Sequence, residues 1–384
     1  MANWGLSPVL SFSPNIPQKL GYSAGHTLSG TAVMEFGVFI PGHWMDHSKS
    51  AKQLYDEMLA EAVFADELGF DNVWFAEHYA IDYIAIPDPI QMVTAVFERT
   101  DRIRAGVAVH ILRNHHPIKL AAEIAQLDVM YGGRFHTVLG RGASGYEFRQ
   151  MELGQSLEDS IAYFQEHLMV MSKLWKCRES QAHSGRFFNF DSTAIIPPPL
   201  TPQPPFYLAA VSSASVKFQV GYCHEAGNPI RVMHSPFRED MDSVRERLDA
   251  FTDAVKAVGA QRKDTMFGIN RVAYVAPTDE EAWEIMPTLT DLHRGLVRML
   301  SDKEIIENGI MSYEPVENEP SHQEMFDNCL IGSPETVRKK VQKYYDLGVD
   351  HLIAYVHMGQ PHDRVMRSME LFATQVMPEF HHRQ

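Results

Sequence analysis

Cysteine is scarce in this chain: Cys177, Cys223 and Cys329 are the only three in 384 residues, far apart and without a Cys-x-x-Cys pair. That excludes a disulfide framework and a zinc knuckle, and it fits a reducing, cytoplasmic setting. Basic charge is also in deficit, with 34 Lys and Arg against 49 Asp and Glu and a formal net charge of −15. Such a surface repels phosphate backbones and anionic lipid, so neither nucleic acid nor a membrane is an expected partner. No apolar run approaches the roughly 18 residues of a membrane span, and the N-terminus has no basic stretch leading into an apolar core. The 19 histidines include no His-Glu-x-x-His pair, so a metal has only the loose set His43, His78 and His110 to draw on.

Hydrophobic residues, at 45%, are plentiful enough for a large core. From residue 35 onward, short apolar runs alternate with amphipathic segments, the pattern of repeated strand–helix units around a parallel sheet. Eight strands are expected, at 35–40, 72–78, 103–112, 134–140, 205–211, 228–233, 266–276 and 351–358. Helices fall between them: 50–69 stops at Gly69, and the segment from His116 opens on Pro117 and stops at Gly132-Gly133. The fold class is therefore α/β, a single (β/α)8 TIM barrel over 34–384. Residues 1–33, rich in Ser, Gly and Pro, read as an N-terminal extension. Residues 178–205 read as a Pro-rich loop carrying a small hairpin, and 278–330 as a long insertion between strands seven and eight that serves as a lid.

In such barrels the chemistry sits at the C-terminal strand ends. "GFDNVWFAEHY" (69–79) places Glu77 and His78 at the tip of strand two. "GRGASG" (140–145) matches a dinucleotide-binding glycine pattern, but the next convincing helix starts near Ser156, too far away for a Rossmann unit. What remains is Arg141, flanked by glycines and able to bring a guanidinium to a phosphate. "AAVSSAS" (209–215) runs strand five into Ser212, Ser213 and Ser215 at a helix start, where hydroxyls and free N–H groups either hold an anion or simply cap the helix. His115 and His116 read as loop and cap residues before Pro117. Phe39, Trp44, His110 and Tyr146 are candidates to line a substrate pocket.

In order along the chain, "LGFDNVWFAEHY", "RIRAGVAVHILRNHHPIKLAAEIAQLDVMYGGRF", "GRG…EFR", "YLAAVSSAS" and "SMELFATQVMPEF" resemble the bacterial luciferase-like monooxygenases, most of all the catalytic α subunit of luciferase. The resemblance implies a flavin-dependent monooxygenase that uses reduced FMN (FMNH2) and O2, through a C4a-peroxyflavin, to oxidise an aldehyde, ketone or heterocycle. It implies a homodimer. No NAD(P)H-binding module is evident in the sequence, so a separate NAD(P)H:flavin reductase is expected as partner. It assigns His78 as the catalytic histidine and Glu77 as its acidic neighbour, able to fix the ring's tautomer. Arg141, Ser212 and Ser215 match the phosphate-binding positions, and Ala108-Val109 matches a non-prolyl cis peptide behind the flavin ring. Departures are Tyr79 in place of a second histidine, Gly140 in place of a reactive cysteine and Ile161 near the place of a second phosphate arginine. Three alternatives stay open: deazaflavin F420 chemistry on the same barrel, a non-catalytic subunit, and a metal-dependent hydrolase.

Overall fold

Eight apolar segments become strands because both of their faces are buried, one inside a barrel and one beneath helices. The computed structural model describes residues 34–142, 144–151, 159–236, 239–300 and 306–380; the expected extension at 1–33 lies outside them. The barrel strands are Glu35–Ile40 (β1), Asn72–Phe75 (β2), Arg104–Ile111 (β3), Phe135–Gly140 (β4), Phe206–Ala210 (β5), Arg231–His234 (β6), Met266–Val275 (β7) and His351–Tyr355 (β8). All neighbours pair in parallel in this order, β8 returns to β1, and the pairing of β6 with β7 closes the ring. The barrel class read from the sequence is the one found. Most expected strand ends differ by three residues or fewer; the exact length matters at β2, which stops at Phe75 and leaves Ala76–Tyr79 as irregular chain.

Period-two alternation sorts the core into two layers. Phe39, Trp74, Val138, Tyr207, Met233, Val272, Ile353 and Tyr355 fill the barrel interior. Phe36, Val38, Val73, Phe75, Val107, Phe135 and Leu139 pack outward beneath the helices. The N-terminal end of the barrel is plugged by polar side chains: Arg104 meets Glu35 at 3.0 Å, and His351 Nε2 lies 3.0 Å from Asn72 Oδ1. Gly106 is needed there, since a Cβ would come within 2.8 Å of the Trp74 ring. With that end filled, a ligand can enter the barrel only from the C-terminal rim.

The helices start and stop where local chemistry dictates. Ser50 caps Ala51–Leu68 (α1), whose end turns through Gly69 at φ 86°. Asp88 caps Pro89–Phe97 (α2), accepting from Ile90 N, and His116 accepts from Ile118 N at the head of Pro117–Met130 (α3). The 178–205 segment contains an antiparallel pair, Gln181–Ser184 with Asn189–Thr193. Between β7 and β8 the insertion forms helices Asp279–Trp283 and Met286–Met299, a two-residue hairpin Ile306–Glu307 with Ile310–Met311, and helix His322–Asn328. A short strand, Leu330–Gly332, then pairs with β7 before helix Pro334–Leu347 returns to the barrel. No described helix is long and apolar enough to cross a membrane.

Candidate active site

Beyond Phe75 the chain leaves the sheet, so Glu77 and His78 stand at the rim as expected, but they face different partners. His78 Nδ1 lies 3.0 Å from Glu147 Oε2, and Glu147 Oε1 accepts from Tyr79 N at 2.5 Å. Glu147 belongs to a short helix, Gly145–Gln150 (α4), capped by Ser144, whose Oγ accepts from Glu147 N. A helix therefore does begin at the end of the "GRGASG" segment, contrary to the sequence reading; it is six residues long, and the longer helix Ser160–Lys176 (α5) follows. Ser156 lies outside the described residues.

Glu77 does not touch the His78 imidazole, so its expected role in fixing that tautomer is corrected. Its buried carboxylate accepts from His115 Nε2 at 2.9 Å, from Ile111 N at 3.1 Å and from Tyr79 O–H at 2.9 Å. It ties the tip of β2 to the loop after β3. His115, read as a loop residue, thus has a specific partner. Glu147 was missed altogether, although it sits in the quoted "EFR"; a carboxylate three residues after a capping serine in a Gly-rich segment was the available signal.

His110 is corrected as well. It is fully buried, with Nδ1 2.7 Å from Thr137 Oγ1 and its ring edge-on to His115. The β3–β4 register slips between Ala108 and His110, so His110 pairs with outward-facing Leu139 instead of following Ala108 inward. Burial pushes its pKa well below the ordinary histidine value. Trp44 likewise turns away from the mouth: its indole N–H donates to Lys49 O, and its ring packs on the outer layer beside His47. The other two pocket candidates do lie at the rim. Phe39 packs edge-on against Tyr355 at 4.9 Å, and Tyr146 covers the interior cluster from α4.

His43 stands near His78 on the loop after β1. Its Nδ1 meets Tyr83 O and its Nε2 meets the Tyr355 hydroxyl. Burial, aided by the nearby His357, pulls its pKa down to about 3, so the ring is neutral. With both nitrogens committed, and His110 on the outer layer, the loose set His43, His78 and His110 does not converge. Among the described residues no cluster of three or more metal-ligating side chains occurs.

The charged part of the rim lies on β4 and β5. Leu139 pairs with Leu208, which sets exposed Arg141 level with Ala210 on the next strand; its Nη1 donates to Ser160 Oγ at 3.1 Å. Ser212 caps helix Ser213–Glu225 (α6) in a reciprocal box, accepting from Ser215 N at 3.2 Å while Ser215 Oγ accepts from Ser212 N at 2.9 Å. The capping reading is thus realised, and both serines stand at a helix N-terminus that follows the strand next to the one ending before Arg141. Between this corner and His78 lie Ala108, Val109 and Ala209, half-buried over the interior cluster; the Ala108–Val109 peptide is cis. At Gly140 a Cβ would fall 2.9 Å from Val109 Cγ2, so the strand end is kept bare.

Residues 34–351 match the family described as luciferase-like monooxygenase. The oxygenase component of a flavin-dependent trigonelline monooxygenase from Acinetobacter baylyi is 27% identical over 90% of this chain and 96% of its own length. A crystal structure of monooxygenase RslO1 from Streptomyces bottropensis superposes with a TM-score of 0.76 at 26% identity, covering 90% of this chain and all of that one. An F420-dependent glucose-6-phosphate dehydrogenase from Microbacterium testaceum is 24% identical over 85% of this chain and 94% of its own length.

Proposed function

Because the chain belongs to the luciferase-like monooxygenase family, we propose that it is the oxygenase of a two-component system, taking reduced FMN from a separate NAD(P)H:flavin reductase and using O2 to oxidise a small, partly apolar aldehyde, ketone or heterocycle. One observation carries this reading: Arg141 and the capping serines of α6 share the C-terminal rim with the His78 imidazole, with half-buried apolar residues between them. The residues present fit FMN. Arg141, Ser212, Ser215 and the N–H groups opening α6 suit a phosphate dianion. Val109 and Ala209, beside the bare end of β4, suit a flat ring system.

When bound, reduced flavin and O2 supply the oxygen-transfer chemistry. The protein's own groups bind, orient and exclude water. Arg141 and the two serines would hold the phosphate tail, and Val109 would support the ring system. His78 Nδ1 is already engaged, so proton exchange with a bound substrate belongs to Nε2. Phe39, Tyr355 and Tyr83, with the β7–β8 insertion as lid, keep water from the reacting atoms, where stray protons would divert oxygen to hydrogen peroxide. Glu77 acts one step removed, by holding the strand tip. We place the enzyme in the cytoplasm as a homodimer.

The second reading, F420-dependent hydride transfer, draws on the glucose-6-phosphate dehydrogenase relative. Anaerobic titration with reduced FMN and with reduced F420 separates the two. Preferential FMNH2 binding, followed on an O2 pulse by substrate-dependent product, supports the oxygenase; tighter F420 binding without O2 consumption would replace it.

A further inference from the structure

We propose that Glu147 is the positioning residue for His78: its carboxylate holds the ring with hydrogen on Nδ1 and presents the bare Nε2 to the substrate. This rests on the reading of His78 as the proton-handling group. The geometry is specific. One oxygen of a fully buried carboxylate receives the imidazole at 3.0 Å, and the other receives the N–H of the next residue, Tyr79, at 2.5 Å. The two bonds fix both the ring and the backbone that carries it, so the imidazole is oriented from two directions by one side chain.

Among the described residues, the other polar groups named near the ring are committed elsewhere. Glu77 and Tyr79, on the same strand tip, are bonded to each other, and Glu77 also holds His115. His43, the nearby imidazole, is committed to Tyr83 and Tyr355. Glu147 itself is set by α4, where Ser144 caps its backbone N–H. The short helix after "GRGASG" thus carries the orienting carboxylate on one side of a loop whose other side carries Arg141. Only five residues of chain separate Arg141 from Glu147.

The test is 15N NMR of histidine-labelled, flavin-free protein, with His78 assigned by comparison with His78→Gln. In the wild type the neutral ring should carry its hydrogen on Nδ1. Glu147→Leu should lose that fixed tautomer, and Glu147→Asp should restore it in part. With reduced FMN and O2, Glu147→Leu should form product about 10²-fold more slowly, the lower end of what a positioned acid–base group supplies, with flavin affinity unchanged. A wild-type ring protonated on Nε2, or identical ring shifts in Glu147→Leu, overturns the proposal. Should Glu147→Leu not fold, the wild-type tautomer alone decides. If the tautomer behaves as stated but His78→Gln leaves product yield intact, the oxygenase role of His78 fails while the pairing stands.

Discussion

His115 donates its Nε2–H to both oxygens of Glu77, at 2.9 and 3.0 Å, across 38 residues of sequence. The carboxylate is fully shielded and the imidazole nearly so. Removing one partner of such a pair strands the other in a low-dielectric site, which costs about 3–5 kcal/mol. Glu77→Ala should therefore lower unfolding stability by about that amount. A double-mutant cycle of Glu77→Gln with His115→Gln should give a coupling of about 1 kcal/mol or more. Additive losses would show that the two side chains act independently.

The capping of α6 by Ser212 is separable from the phosphate role proposed for the same end of the helix. As a cap, Ser212 contributes about 1 kcal/mol, so Ser212→Ala should lower the urea midpoint of flavin-free protein. Arg141, exposed and donating among the described residues to Ser160 Oγ, should have no comparable effect on folding. In FMN binding the order reverses. Losing a charge-assisted bond costs about 1.5–3 kcal/mol, or roughly 10- to 150-fold in affinity, so Arg141→Ala should bind FMN that much more weakly. Riboflavin, lacking the phosphate, should bind both proteins equally. Equal losses for FMN and riboflavin would move the phosphate away from Arg141.

The barrel was readable from sequence because its strands are buried on both faces and so appear as unbroken apolar runs. The rim was readable only in part. His78 and Arg141 announce themselves at strand ends, but the partner of His78 lies 69 residues away on a helix of six residues whose glycine-rich start reads as loop. No local period encodes that pairing. His110 failed for a different reason: alternation assigns it to the barrel lumen, and a one-residue slip in register beside Val109 reverses its face. Trp44 failed because aromatic character alone does not say which layer a loop residue joins.

The insertion grips the loop that follows His78. Tyr83 O–H donates to Leu292 O at 2.7 Å, Asp82 N donates to Gly309 O at 2.8 Å, and Met311 N donates to Asp82 Oδ1 at 2.8 Å. Gly295 lets the helix lie on the Tyr83 ring, since a Cβ there would sit 2.2 Å from Cε2. Gly295→Ala should push that helix off the rim, at a cost of about 1–3 kcal/mol for overpacking. If the insertion excludes water from the site, the same variant should release more hydrogen peroxide per O2 consumed. Unchanged coupling, with the stability loss present, would deny the insertion a role as lid.

Five buried histidines set the acid limit of the fold. Burial is the leading cause at each: His43 and His167 are pulled down to about 3, His351 to about 4, and His110 and His136 well below the ordinary value. Each is neutral in the folded chain and titrates normally, near 6.5, once unfolded. Their contribution is therefore complete above about pH 6.5 and is lost as pH falls toward the folded values, by up to about 1.4 kcal/mol per pH unit per group. His362, raised chiefly by its hydrogen bond to Glu61, works in the opposite sense, its contribution being complete below about 6.5 and lost as pH rises through its folded value. One such group does not offset five. Urea unfolding at pH 7, 6 and 5 should show steadily lower midpoints, with a slope near pH 5 equivalent to about five protons taken up by these imidazoles on unfolding. A midpoint that stays level from pH 7 to pH 5 would mean that these imidazoles reach water in the native protein.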